Sequence, residues 1–167
     1  HHLIHDAIAE RLGIEYDRRD RIWNPHNFVF RRGDMFYHAK GATPMAEDFV
    51  PDGNNGLRLI PLNMREPILI AESGGNMDNG LGFAPHGAGR LMSRTQFERL
   101  NAGRRDIDIL QEDTKGIDCR FYSGIMDISE LPSAYKDASE VEFQIKKYGL
   151  AKIVDRVYPY GTIMAGK

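Results

Sequence analysis

An α+β fold with largely antiparallel sheets and flanking helices is predicted by three features of the sequence. Short aromatic and β-branched runs are bounded by Gly, Pro and Asn clusters, as half-buried strands are. Helical periodicities are scattered among them without the regular strand–helix alternation that marks a parallel α/β sheet. A chain of 167 residues with 41% hydrophobic side chains also has enough apolar mass for one packed core. A single domain over residues 1–167 is therefore expected.

Leu3, Ile4, Ala7, Ile8 and Leu12 recur at helical spacing with Gly13 as a stop, so a helix is expected at the amino end. There is no initiator methionine, and a chain that opens inside a helical pattern reads as a piece of something longer. His1 and His2 fit the remnant of a purification tag and native sequence equally well. Asn27 to Phe30 and Met35 to His38, separated by Arg31-Arg32-Gly33-Asp34, predict a hairpin. Lys40 to Pro44 breaks it, and Pro51 to Gly56 is a dense loop signal. Two further strands are expected over Leu57 to Ile60 and Ile68 to Glu72. Residues 74 to 89 hold Gly74, Gly75, Gly80, Gly82, Gly87 and Gly89, a concentration that disfavours helix and strand alike. A helix is expected from Gly89 to Leu100, closed by Asn101 and Gly103. Ser139-Glu140-Val141-Glu142 predicts a capping box for another, with Val141, Ile145 and Tyr148 as its apolar stripe. Leu150 to Tyr158 reads as the last strand, ended by Pro159 and Gly161.

Composition narrows the function classes. Lys and Arg total 22 and Asp and Glu 24, for a net charge of −2, which excludes a strongly basic nucleic-acid coat but leaves room for a local Arg-rich face. Ile68 to Ala71 is the longest unbroken apolar run, far below the roughly 20 residues a membrane helix needs. Residues 1–10 have neither a basic n-region nor an apolar h-region, so no secretory signal is read there. A single cysteine, Cys119, forms no internal disulfide and favours a reducing, cytoplasmic compartment. It reads as a small buried hydrophobe rather than a ligand.

Candidate chemistry concentrates at Ala84-Pro85-His86-Gly87-Ala88-Gly89-Arg90, followed by Leu91-Met92-Ser93-Arg94. A histidine after a glycine-rich stretch and directly before a helix would stand near unpaired N–H groups and the positive dipole end, a combination that attracts phosphate. Gly87 and Gly89 would let the backbone approach a ligand without a Cβ, and Arg90 and Arg94, one helical turn apart, would neutralise its oxygens. On spacing alone a histidine hydrogen-bonded in a tight turn is the commoner arrangement, since a short glycine loop is a weak signal by itself. His26, in Asn24-Pro25-His26-Asn27-Phe28, is a second candidate, as a metal ligand through neutral imidazole with Asn27 beside it. Lys40, Arg18-Arg19 and Arg31-Arg32 are candidate contacts to a polyanion, or simply a solvated face.

Five segments, in order along residues 25 to 137, carry a resemblance to the RtcB family of RNA ligases. His86-Gly87-Ala88-Gly89-Arg90-Leu91-Met92-Ser93-Arg94 is similar to its signature around the guanylylated histidine. Pro25-His26-Asn27-Phe28 resembles its H-H-N-[FY], and His38 to Thr43 its H-R-K-G-A. Ile60-Pro61-Leu62-Asn63-Met64 resembles I-P-G-S-M, and Glu130 to Asp137 resembles E-x-P-x-A-Y-K-D. The resemblance implies a ligase that uses GTP and Mn²⁺ to join RNA ends bearing a 2′,3′-cyclic phosphate or 3′-phosphate to 5′-hydroxyl ends, in RNA repair or tRNA splicing. It makes His86 the nucleophile on GTP, through a histidine–GMP intermediate. His26 becomes a metal ligand. His26, Asn27, Pro61, Leu62, Asn63, Met64, His86, Gly87, Ala88 and Gly89 fall on segments that touch the guanylate; Tyr135 would border the base, and Lys167, or Met164 one frame earlier, would meet guanine.

The resemblance covers the carboxy-terminal part of a ligase. The family's D-x-x-C-G, G-N-H-F and H-S-G-S-R-G motifs, which carry most metal ligands upstream, do not occur here. Pro25 stands where the family has a first His, Ala39 where it has Arg, Leu62-Asn63 where it has Gly-Ser, and Ile68 where a purine-contacting serine would fall. The implied partners are RNA, GTP and an upstream half of the same ligase, without which this chain is expected to be inactive. A non-catalytic nucleotide-binding remnant of the same fold is the alternative.

Overall fold

A computed structural model describes residues 2–25, 27–50, 56–74 and 78–167. The expected hairpin is present as β1 (Val29–Arg32) and β2 (Met35–His38), paired antiparallel with Arg32 opposite Met35. It starts later than predicted because Asn27 has φ 56°, a left-handed conformation that Asn tolerates and a strand does not. Helix α1 (His2–Leu12) forms where the periodicity places it.

The main sheet is antiparallel, in the order β4 (Arg58–Ile60), β5 (Ile68–Ser73), β8 (Ala151–Val157), with a register shift at Ile70/Ala71. Its apolar face meets α4 (Ala138–Lys147), and Ile60, Leu69, Ala71, Ala151 and Ile145 of these elements are buried together. The helix stripe is carried by Ile145 and Val141, whereas Tyr148 is exposed. The cap also differs from expectation: Asp137, not Ser139, is the N-cap, and its carboxylate accepts from the Ser139 N–H at 2.8 Å.

Two predictions fail at the glycine-rich stretch, for tertiary reasons. Phe83–Pro85 forms a strand, β6, paired with β3 (Ala42–Pro44), which occupies the segment read only as a break. Side-chain packing outweighs the poor propensity, since Phe83 packs on Phe49, ring centroids 4.8 Å apart, in an aromatic cluster with Phe30 and Tyr37. The following helix, α2, spans Arg94–Leu100 rather than starting at Gly89. Gly87 and Gly89 have φ 72° and 71°, which no helix accommodates, and Ser93 caps α2 by accepting from the Gln96 N–H at 3.2 Å.

Besides β3 and β6, the sequence reading did not place α3 (Asp106–Asp113) or the parallel pair β7 (Asp118–Phe121) and β9 (Gly161–Met164). Helix α3 has acidic residues in its first turn and buries only Ile109 and Leu110, too few apolar positions for a visible stripe. Together with Phe97, Ile128, Leu131 and Ala134 they form a core separate from that of the main sheet. The fold class is α+β, and among the described residues the strands pair antiparallel except β7–β9. Among the described residues no helix is long and apolar enough to cross a membrane.

Candidate active site around His86

The segment after β6 behaves as a strap laid between two strips of chain. The His86 N–H donates to the Gly41 carbonyl at 3.0 Å, Gly87 to Pro61 at 2.6 Å and Ala88 to Leu62 at 3.0 Å. On its other side the Gly89 carbonyl accepts from Lys136 at 2.8 Å, Leu91 donates to the Ala134 carbonyl at 2.9 Å, and Arg90 bridges to Tyr135. Three segments distant in sequence, around residues 41, 61 and 135, thus hold the strap in place. Gly87 and Gly89 are needed for their left-handed backbone rather than for space: a Cβ at either would sit 3.9 Å from its nearest neighbour. The expected helix-end phosphate site is corrected by the same bonds. The N–H groups of Gly87 and Ala88 are spent on Pro61 and Leu62, and the helix begins at Arg94.

This strap sets the half-buried His86 between two hollows and shields its Nε2 from solvent. One, of about 220 Å³, is lined by His5, Trp23, Asn24, Thr43, Pro61 and Ile68 among others. Thr43 is pinned by donating to the Leu59 carbonyl at 3.1 Å, and the Asn24 amide oxygen accepts from the Leu59 N–H at 2.8 Å. The other, of about 470 Å³, is lined by Gly87, Ala88 and Gly89 on one wall and by Lys136, Asp137, Glu140 and Gln144 on the other. A volume of this order is typical of small-ligand sites.

Beside the strap, Glu130 collects the cations that the sequence offered to phosphate. The Nε of Arg94 donates to its Oε1 at 2.7 Å, Arg90 Nη1 lies 3.9 Å from the same oxygen, and the Tyr135 hydroxyl donates to Oε2 at 2.5 Å. The Arg90 guanidinium also sits over the Tyr135 ring, 5.2 Å from its centroid. Burial acts to raise the Glu130 carboxyl, but the bonds from Tyr135 and Arg94 outweigh it and hold the group below its usual range. Burial, then Glu130, pushes the Tyr135 phenol up. Arg90 and Arg94 do not lie one turn apart on a helix, since only Arg94 belongs to α2.

The remaining candidates divide. Pro61 lines the smaller hollow and Gly87, Ala88 and Gly89 the larger, with His86 shared. Leu62 is buried in the main core, and Met64 packs beside Cys119, 4.0 Å between sulfurs. Asn63 closes a turn by accepting from the Arg65 and Glu66 N–H groups at 3.0 and 2.9 Å. Tyr135 is engaged with Arg90 and Glu130, and the Lys167 ammonium pairs with Glu98 on α2. Asn27 is exposed. His26 lies outside the described residues, and among those described no cluster of three or more His, Cys, Asp or Glu could hold a metal ion. Burial pushes the Cys119 thiol up, as befits a packing residue. Sequence reasoning missed the roles of Glu130 and Lys136, although both lie in the quoted E-x-P-x-A-Y-K-D-like segment. Trp23, Thr43 and Glu140 carry no local signal.

Residues 1–165 match the family described as tRNA-splicing ligase RtcB. A tRNA-splicing ligase RtcB of Aeropyrum pernix is 29% identical over 92% of this chain, which spans 34% of the relative. Those of Thermococcus kodakarensis and Pyrococcus furiosus are 34% and 31% identical over 90% of the chain, spanning 33% and 16% of the relatives. The chain thus spans about a third or less of the curated relatives it matches.

Proposed function

The chain belongs to the RtcB family, and from that premise we propose that it is the carboxy-terminal, histidine-bearing part of a GTP-dependent RNA ligase, incomplete without an upstream part. The observation that carries the proposal is His86, held by a three-sided backbone strap between two hollows, one of them of nucleotide-accommodating size. A neutral imidazole is a competent nucleophile near pH 7. An imidazole nitrogen of His86 attacks the α-phosphorus of GTP; the N–P bond forms, the bond to the bridging oxygen breaks, pyrophosphate leaves, and the ring proton passes to solvent. The oxygen of an RNA 3′-phosphate then displaces His86 and takes the GMP. The RNA 5′-hydroxyl oxygen then attacks the activated 3′-phosphorus; the phosphodiester forms, GMP leaves, and the hydroxyl proton passes to solvent.

The strap keeps the imidazole aligned through both transfers, the kind of positioning on which phosphoryl transfer depends. Gly87 and Gly89 leave the wall of the larger hollow without side chains, and Lys136 lines the opposite side. Glu130 holds Arg94 and Arg90 beside the strap, which makes it a positioning residue. The described residues do not make a Mn²⁺ site. His26 would be one ligand, and the others would come from the upstream part.

Incubation with Mn²⁺ and α-labelled GTP, with and without the upstream part of an RtcB ligase, tests the proposal. Acid-labile, alkali-stable label on His86, dependent on the upstream part and absent from H86A, is expected. No label under either condition overturns it in favour of a non-catalytic remnant.

A further inference from the structure

The two hollows that share His86 differ in chemistry. The larger carries the charged side chains Lys136, Asp137 and Glu140. Among the described residues that line the smaller there is no Asp, Glu, Lys or Arg; Ile22, Trp23, Pro61 and Ile68 give it apolar walls, and Trp23 is the only tryptophan in the chain. At about 220 Å³ it is smaller than the sites that enclose a whole drug-sized ligand, and it suits a flat ring system. A nucleotide whose α-phosphorus sits at His86 therefore divides between them: the uncharged base belongs in the apolar hollow, and the phosphates stay on the polar side.

The polar groups of the smaller hollow are committed within the chain. The Thr43 hydroxyl donates its proton to the Leu59 carbonyl, the Asn24 amide oxygen accepts from the Leu59 N–H, and the Pro61 carbonyl accepts from the Gly87 N–H. Guanine and adenine differ in the donors and acceptors along one edge, so a site that tells them apart needs a fixed polar partner there, such as a carboxylate for the guanine amino group. No described lining side chain is a carboxylate. Apolar and aromatic walls grip a base by its faces, and every base has a π-face. We infer that the smaller hollow is a purine-base subsite that holds the ring against Trp23 and Ile68 without reading its edge, so that ATP is accepted as well as GTP. The inference rests on the proposed function in that it takes His86 as the point where the nucleotide attaches, and it deepens that reading by widening the nucleotide class.

The fluorescence of Trp23, the single indole, reports base stacking in the full chain without any catalysis. Titration with GTP and with ATP should quench it with dissociation constants within about threefold of each other. W23L, followed by equilibrium dialysis, should weaken both at least tenfold, the loss expected for one base–aromatic contact. I68E places a carboxylate at a position 37% exposed and should turn the ratio at least tenfold toward GTP. Both variants should keep the circular dichroism of the parent. With Mn²⁺ and the upstream part of an RtcB ligase, α-labelled ATP should label His86 to within about threefold of GTP. A preference of the parent chain for GTP of tenfold or more overturns the inference, as do label from GTP alone, absence of quenching by both nucleotides, binding unchanged in W23L, or a ratio unchanged in I68E. Equal quenching without label from either nucleotide leaves the base subsite standing and removes the catalytic reading. Label without quenching does the reverse.

Discussion

The strap at His86 and the helix α1 make an instructive pair. The strap covers residues 86–91 and α1 residues 2–12, and both were legible as motifs. The N–H groups of His86, Gly87, Ala88 and Leu91 in the strap each donate to a carbonyl elsewhere in the chain, and Ala88 is buried. The backbone bonds of α1 are local, its Asp6 pairs with Arg18 and Arg21 in the segment that follows, and Leu3, Ile4, Ile8 and Leu12 face outward. Secondary structure arises locally in one and by tertiary pairing in the other. Rigidity follows the second kind, because each strap bond ties down chain that would otherwise wander.

The comparison can be broken or sharpened by substitution. The largest effect is expected from H86A, which should eliminate guanylyl label completely while shifting unfolding free energy by less than about 1 kcal/mol, the ring being only half-buried; a collapse of the fold would show the ring to be structural. L69A, in the core of the main sheet, should cost about 3 kcal/mol in urea denaturation, because its fully buried side chain leaves a cavity. G87A should cost about 1.5 kcal/mol from the left-handed backbone alone, since the added methyl has room; a larger loss would mean the strap is more crowded than its geometry indicates.

E130Q should cost about 1 kcal/mol at pH 7 by weakening the bonds to Arg94 and Tyr135. Its pH dependence gives the sign. The folded carboxyl titrates below its ordinary value near 4.5, so its stabilisation is present above that value and is lost as pH falls through the folded one. The gap between parent and E130Q, followed by urea denaturation, should therefore narrow between neutral pH and the acid limit. L3A on α1 should change stability by less than about 0.5 kcal/mol, as expected for a side chain 83% exposed. A loss comparable to that of L69A would show that α1 is packed in solution and would erase the contrast.

Much of the fold was legible. The hairpin, β4, β5, β8 and the existence of α1, α2 and α4 follow from periodicity and turn chemistry. The boundaries that moved, at Asn27, Arg94 and Ala138, moved because one residue's backbone angle or cap decided them. β6 and α3 were invisible because packing, through Phe83 and through Ile109 and Leu110, outweighed weak local preference.

The site was legible in part, and for a clear reason. Residue order singled out His86 and its glycines, because glycine marks positions where a left-handed backbone is needed, whereas the segments at 61–64 and 130–137 stood out only through the family resemblance. What the order of residues could not decide is who answers whom: that Gly41, Pro61 and Ala134 hold the strap, that Glu130 rather than phosphate receives Arg94, and that the stripe of α1 faces outward. Those outcomes depend on which distant groups satisfy one another's hydrogen bonds and charges, and that is settled only when the chain has closed on itself.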